Sequence, residues 1–430
     1  MPILPPRLGF KMMSNAPTFF RDFATNKTLD HGFGPSITFT RTGTATYFDS
    51  SGTLTTATAN TPRFDHDPST LESKGLLIEE ARTNSIPNSQ GTSAVAGTPG
   101  TQPTSWGLAT STTGLTRTIS TGTISGFNYI DVAFSGTTTG SISSLTFDPQ
   151  PTTAGYTASS GQTWTGSVYL ALVSGSLPPT TPNVLITERD SSNTLLVQTA
   201  TNFSSATSSL QRFTATRTLN NASTAKITLD IRISSIPTST AVNFTLRIAA
   251  PQLELGAFAT SYIPTTSVAV SRGADSAVVT PISSFYNASE GTIYNEFSVF
   301  ALDGATTLRG ISQFAESSTI LNRLQTGVRG TGLYSFSVVS ANSTEFQIDT
   351  GAGAITVGAI AKTAQSYKSN DNARSINGAT ATTNTSSFTQ STRERFRFGD
   401  NGTAILNGHI RKVGYWPRRL TNANLQAMTA

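Results

Sequence analysis

Runs in which apolar and polar residues alternate recur along most of the chain. In Phe127–Phe134, Ile130, Val132 and Phe134 share one face, and further on Trp164, Gly166, Val168, Leu170 and Leu172 do the same. Ile227, Leu229, Ile231 and Ile233 form a third such set, and Val242, Phe244, Leu246 and Ile248 a fourth. Successive side chains of a strand point to opposite faces, so a period of two predicts half-buried strands. Ser36–Arg41, Ile293–Phe300, Tyr334–Val339, Phe346–Thr350, Ile355–Ile360, Phe396–Phe398 and His409–Tyr415 carry the same signal.

Turn chemistry separates these runs. Thr44–Phe48 and Thr53–Thr56 flank Asp49-Ser50-Ser51-Gly52, a hairpin signal in which Gly52 takes the positive-φ position. Asn377-Gly378, Asn401-Gly402 and Asn407-Gly408 are further turns. Thr421 suits the N-cap of a short closing helix, Asn422–Met428, with Leu425 and Met428 turned inward. The densest stretch is Thr61–Asn84. Pro62 and Pro68 exclude helix around Arg63–Asp67, and Gly75 leads into a strand, Leu76–Ala81. Alternation there puts Leu76, Ile78 and Glu80 on one face and Leu77, Glu79 and Ala81 on the other. The two carboxylates need guanidinium partners, and Arg63 and Arg82 are the nearest.

The pattern predicts an all-β chain: an N-terminal extended arm and hairpins, followed by two β-sandwich domains. The expected divisions are 1–87 for the arm and an interlocking module, 88–270 for the first sandwich, 271–290 for a linker and 291–430 for the second sandwich. Composition agrees. Charged residues are only 12% of the chain, about half the usual share, and Thr, Ser, Gly and Asn take their place. Threonine favours strands, and the others favour turns.

Charge and cysteine content narrow the function. A net charge of +5 is a weak field over 430 residues, with no Lys/Arg block of the kind that binds nucleic acid. With no cysteine, neither disulfides nor thiolate metal sites are available, which suits assembly in a reducing cytoplasm. The N-terminal stretch, broken by Pro2, Pro5, Pro6 and Arg7, lacks the apolar core of a secretory signal. No apolar run reaches membrane-spanning length, so membrane insertion is not expected.

Candidate chemistry is sparse. Trp106, Trp164 and Trp416, with Tyr129, Tyr169 and Tyr415, are either core residues or platforms on which sugars stack; the apolar neighbours of Trp164 favour core for it. Arg393, Arg395 and Arg397 alternate with Glu394, Phe396 and Phe398, placing three arginines on one strand face near Arg411, Lys412, Arg418 and Arg419. This is either a solvated, salt-bridged face or a patch for anionic polysaccharide, with Trp416 beside it. Phe10, Phe19, Phe20 and Phe23 of the arm pack on the chain's own domain or dock on another protein or a sister subunit. No pair of carboxylates is spaced for glycoside hydrolysis, and no nucleophile elbow or P-loop occurs, so catalysis is not expected. Three isolated histidines, and Asp371-Asn372 and Asp400-Asn401 in turns, give no basis for a metal or cofactor.

Three segments carry a resemblance. Ile37–Pro68, ITFTRTGTATYFDSSGTLTTATANTPRFDHDP, with Gly75–Asn84, GLLIEEARTN, resembles a module of tailed-bacteriophage structural proteins. Ala250–Thr266, APQLELGAFATSYIPTT, and Leu406–Thr429, LNGHIRKVGYWPRRLTNANLQAMT, are similar to the way such proteins continue. The resemblance implies a virion fibre, spike or decoration protein. Its middle domain would be a jelly roll like carbohydrate-binding modules, and its last domain one like concanavalin or laminin G domains. It also implies other virion proteins and the chain itself as partners, commonly as a trimer, with bacterial surface glycan as ligand. A decoration protein without ligand and a polysaccharide depolymerase are the alternatives.

Overall fold

A computed structural model describes residues 16–108, 112–149, 155–316, 319–351 and 353–430. The chain opens with β1 (Phe19–Asp22), a one-turn helix α1 (Phe23–Asn26), β2 (Gly32–Phe33) and β3 (Thr38–Thr40). A hairpin follows, β4 (Ala45–Phe48) and β5 (Leu54–Ala57), then β6 (Phe64–His66), β7 (Ser73–Ile78) and β8 (Arg82–Asn84). The middle of the chain holds β9 (Gly107–Leu108), β10 (Leu115–Ile124), β11 (Phe127–Thr137), β12 (Ile142–Asp148) and β13 (Tyr156–Thr157). It continues with β14 (Thr163–Ser176), β15 (Pro182–Arg189), β16 (Leu195–Asn202), β17 (Gln211–Thr218), β18 (Lys226–Ile236) and β19 (Ala241–Leu255).

The last part contains β20 (Val270–Arg272), β21 (Ser276–Val279), β22 (Glu290–Val299), β23 (Leu308–Ala315), β24 (Arg323–Arg329) and β25 (Tyr334–Ser340). Then come β26 (Ser343–Asp349), β27 (Ala361–Lys368), β28 (Asn372–Ile376), β29 (Thr382–Asn384), β30 (Arg395–Phe398), β31 (Gly408–Trp416) and α2 (Asn422–Thr429). The chain is thus all-β, with two short helices among the described residues, and its sheets pair as sandwiches.

The middle sandwich comes from one continuous stretch. A five-stranded sheet, β10-β11-β19-β14-β17, faces a second sheet, β16-β15-β18-β12-β9 with β13 beside β18. The period-two sets meet between them: Ile130, Val132 and Phe134 with Val168 and Leu170, Ile227 to Ile233, and Phe244 to Ile248.

The other sandwich is built from both ends of the chain, which corrects the expected divisions. Its nine-stranded sheet runs β2-β1-β31-β22-β27-β28-β29, with β7 also on β31 and β6 on β7. Its seven-stranded sheet runs β26-β25-β24-β23-β30-β21-β3. β31 pairs with β22 along one edge. Its other edge is divided, Gly408–Ile410 pairing with β7 and Lys412–Tyr415 with β1. Residues 1–87 are therefore not a separate module, and 271–290 is not a simple linker, because β21 is a strand of the seven-stranded sheet and β20 pairs with β8. One core joins Phe19, Phe39, Leu76 and Ile78 to Ala277, Phe297, Phe336, Phe396 and Tyr415.

The arm folds back rather than reaching out. Arg21, fully buried, donates to five backbone carbonyls: Leu29 (2.6 Å), Phe20 (2.9 Å), Phe33 (2.5 Å), Gly34 (3.1 Å) and Pro35 (2.5 Å). Phe19 and Phe23 are fully buried in the chain's own core, Phe19 stacking 5.3 Å from Phe285 and 5.6 Å from Phe398. Neither is available for contact with another protein. Phe20 is half-buried beside Gly414, and Phe10 lies outside the described residues. The expected strand Ile355–Ile360 is a run of turns, because Gly358 sits at φ +75°, where a strand cannot continue. Gly75 lies inside β7 at φ +95°, where a Cβ would stand 2.4 Å from the carbonyl of Ile410. The strand ends at Ile78, before Glu79 and Glu80.

Candidate functional site

The arginine triplet does not form one face. Arg395 and Arg397 lie on β30, half-exposed, and alternate with the buried Phe396 and Phe398. Arg397 pairs with Asp400, and Arg395 donates to the Thr319 carbonyl at 3.2 Å. Arg393 precedes the strand and is turned into the protein, 5% exposed, with Nη1 donating to the Tyr286 hydroxyl at 2.8 Å. Arg411 and Lys412 stand in the opposite sheet, where both pair with Glu296 at 3.0 and 3.1 Å. Trp416 is not a contact residue either. It is fully buried with Tyr294, Leu420 and Leu425 beneath α2, whose N-cap Thr421 accepts from Asn424 N at 3.2 Å.

Of the aromatic candidates, Trp106, Trp164 and Tyr415 are core residues, whereas Tyr129 and Tyr169 face outward from the five-stranded sheet. Inward-facing Ile130 and Val132 on β11, and Leu246 and Ile248 on β19, leave Tyr129, Asp131 and Ala133, with Thr245 and Arg247, on the other side. Asp131 and Arg247 are directly opposed across the β11–β19 pair. Arg247 Nε and Nη2 each donate at 2.8 Å to the two carboxylate oxygens, a side-on fork that fixes both groups. The same guanidinium lies 3.6 Å above the ring of Tyr129. The hydrogen bond to Asp131 raises the Arg247 pKa. Tyr129 in turn leans over Gly122 of β10, where a Cβ would come within 2.5 Å of its hydroxyl.

One end of this face is roofed. Phe48 and Leu54, from the β4–β5 hairpin, pack on Phe127, Tyr169, Ala249 and Tyr262. The Tyr169 ring lies tilted 4.5 Å from Phe127, and burial pushes its pKa up. Arg212 lies beside it, donating to the Thr260 carbonyl (2.7 Å) and Ser167 Oγ (2.9 Å). A cavity of about 130 Å³ lies under the roof, lined by Leu54, Gln90, Phe127 and Tyr262. Beyond the roof lie Asp131, Ala133, Thr245, Arg247 and the exposed Val173, the side chains of Asp131 and Arg247 being 11% and 13% exposed. This end offers a pre-aligned acid–base fork, hydroxyls and short apolar side chains. Such a set can exchange paired hydrogen bonds with vicinal hydroxyls while covering an apolar ring edge.

The polar junction between the sandwiches holds this face in place. The chain enters the middle sandwich through β8 and leaves it through β20, which pair with each other in a two-stranded stalk. Beside the stalk, Arg63 bonds Glu79 (2.8 Å) and Asp275 (2.6 Å), Arg272 bonds Glu79 (2.9 Å) and Arg41 bonds Asp275 (3.2 Å), all with fully buried side chains. Ser261, at the end of the middle sandwich, donates to Glu79 through its amide and its hydroxyl, both at 2.7 Å. Burial pushes the Glu79 carboxyl up, but Arg272, Arg63 and the Ser261 bonds outweigh it and hold the pKa at about 2. The sequence named Arg63 and Arg82 as the nearest partners for the two carboxylates; Arg63 takes Glu79, and Arg82 takes Glu80 at 2.5 Å. It did not identify Arg41, Arg272 or Asp275, which carry no local signal. A crevice of about 390 Å³ runs along the stalk, lined by Arg82, Thr83, Ser85, Trp164, Leu255 and Ser271.

No family model and no curated protein matches the sequence. Among solved structures, the chain is similar to the CBM40 module of Ruminococcus gnavus IT-sialidase bound to α2,3-sialyllactose (11% identity, 34% of this chain and 84% of that one, TM-score 0.29). It is also similar to the tripod (BppUct-A-L) from the baseplate of bacteriophage Tuc2009 (10% identity, 76% and 100%, TM-score 0.29). A third is the N-terminal CBM22-1–CBM22-2 tandem of Paenibacillus barcinonensis Xyn10C (10% identity, 79% and 96%, TM-score 0.24). Likenesses of this size carry no argument about function.

Proposed function

We propose that this chain is a structural protein of a tailed-bacteriophage virion that displays a glycan-binding sandwich on a rigid base and has no catalytic activity. The phage assignment is supported by the resemblance of Ile37–Asn84, Ala250–Thr266 and Leu406–Thr429 to such proteins. One observation carries the glycan assignment: the outward side of the five-stranded sheet, on which Asp131 and Arg247 are forked together against Tyr129. The other virion proteins, and further copies of the chain in a symmetric homo-oligomer, commonly a trimer in fibres of this kind, are its partners. It is assembled in the host cytoplasm and works on the particle. Each face binds host surface polysaccharide weakly, and several copies on one particle turn weak contacts into avidity.

The test is a glycan array probed with the full chain and with Arg247→Ala. Binding to bacterial surface glycans should fall at least about tenfold in the variant, the loss expected from a charge-assisted hydrogen bond. Equal binding by both proteins would refute the face. A second reading, a decoration protein without ligand, is favoured by the hairpin roof over the Phe127 end of the same sheet. An array on which the natively folded chain binds nothing would select it.

A further inference from the structure

The edge with which Arg247 grips Asp131 meets no protein acceptor at Arg393. A guanidinium presents Nε and Nη2 along one edge, and this is the edge with which Arg247 grips its carboxylate. In Arg393 both of these nitrogens are buried without a hydrogen-bond partner. Several other arginines here leave Nε alone unpaired. Among the described residues Arg393 is the one whose Nη nitrogen is also in that state. None of the ion pairs among the described residues includes it. The side chain is 5% exposed, and its remaining nitrogen, Nη1, is tied to Tyr286 Oη at 2.8 Å.

The surroundings hold the fork rigid but leave it unsatisfied. The Tyr286 ring lies tilted against Phe314, 4.7 Å away, and Tyr415, 5.9 Å away. The nearby phenols are already committed, Tyr367 Oη to Tyr415 Oη at 2.8 Å and to the Asn287 carbonyl at 2.5 Å. Two residues before Arg393, the Ser391 hydroxyl is buried with no partner either. Tyr286, whose hydroxyl accepts from Arg393, and Ser391 are each only half-buried. A buried cation with two unused donors costs several kcal/mol unless something fills the place. A group with two coplanar oxygens does so best.

We propose that Arg393 and Ser391 form a carboxylate-recognition site at the end of the outer sandwich, taking the carboxylate of an acidic monosaccharide such as a uronic acid. The saccharide in this assignment rests on the glycan-binding function proposed above; the carboxylate does not. The ligand's two oxygens accept from Nε and Nη2, and Ser391 donates to one of them.

The full chain, Arg393→Lys and Arg393→Met are titrated with D-glucuronate, D-glucose and acetate, by calorimetry and by thermal melting. Glucuronate should bind the natural protein and raise its Tm, and glucose should do neither. Arg393→Lys, which keeps the charge but loses the fork, should bind glucuronate about tenfold more weakly or worse. Arg393→Met should abolish the shift while its own ligand-free Tm stays level or rises, since an unpaired buried charge has gone. The site is refuted if glucuronate leaves the natural protein unchanged, or shifts Arg393→Met equally. A large fall in the ligand-free Tm of Arg393→Met would assign the arginine a purely structural role and also refute it. Acetate binding as tightly as glucuronate would remove the saccharide. Array binding lost on Arg247→Ala but kept in Arg393→Met belongs to the other face, so the two proposals fail separately.

Discussion

The two sandwiches solve the same folding problem in opposite ways. The middle one closes within a single stretch, and its outward-facing arginine is matched by an acid on the next strand. The outer one closes only when the two ends of the chain meet: Thr18 donates its amide to Tyr415 at 3.0 Å across 397 positions of sequence. It also leaves an arginine fork unfilled. A domain closed late and by distant strands depends on fixed polar links for its register. A domain closed locally can reserve polar groups on its surface for ligands. The buried ions gather where the two meet, and there they bind one sandwich to the other.

The largest expected effect comes from cutting that junction. Asp275→Ala leaves Arg41 and Arg63 buried without the carboxylate they share, at a cost of about 3–5 kcal/mol. Calorimetry should turn one melting transition into two, the middle sandwich keeping its own. A single transition at the original temperature would show that the sandwiches are not coupled there.

Next is Arg21→Ala, which removes the buried guanidinium that five backbone carbonyls share, at a cost of about 3 kcal/mol. Hydrogen exchange should rise in β1 and β2 and along the Lys412–Tyr415 half of β31, with the middle sandwich unchanged. A uniform rise in both domains would contradict the division.

Acid acts on the junction through Glu79. Its folded pKa, about 2, lies below the unfolded value of about 4.3. Its contribution is therefore full above about pH 4.3 and is lost as pH falls towards 2. Denaturation midpoints should drop over that window. In Glu79→Gln, already less stable, the slope there should be shallower. Parallel slopes would remove Glu79 as the acid-sensitive group.

The smallest effect contrasts the two forks. Arg247→Lys breaks a nearly buried, forked pair and should lower stability by about 1.5 kcal/mol, whereas Arg393→Met should lower it not at all. Urea titration of both variants would show this, and the reverse order would dissolve the contrast.

What the sequence revealed follows the same line. The middle sandwich was legible because its core faces repeat at period two inside one stretch. Tyr129 and Tyr169 appeared among the aromatic candidates by residue type, and Arg63 and Arg82 appeared as partners for Glu79 and Glu80 because few other charges stand near them in the sequence. The outer sandwich was not. Ser276–Val279 reads as linker because nothing local shows that it lies between β3 and β30, and β27, AKTAQSYK, has little apolar contrast to show. Trp416 and Phe19 looked like contact residues because the elements that bury them, α2 for one and β30 with Phe285 for the other, are either brief or far away in sequence. Asp131 and Arg247 escaped notice because register, not spacing, brings them together.

Hydrogen–deuterium exchange of the full chain, with and without the surface polysaccharide it binds best on an array, tests the central claim most directly. Slower exchange is predicted in Phe127–Thr137 and Ala241–Leu255, the two strands that carry the Asp131–Arg247 fork, with the junction strands unchanged. Slower exchange confined to other strands, or none at binding saturation, would contradict it.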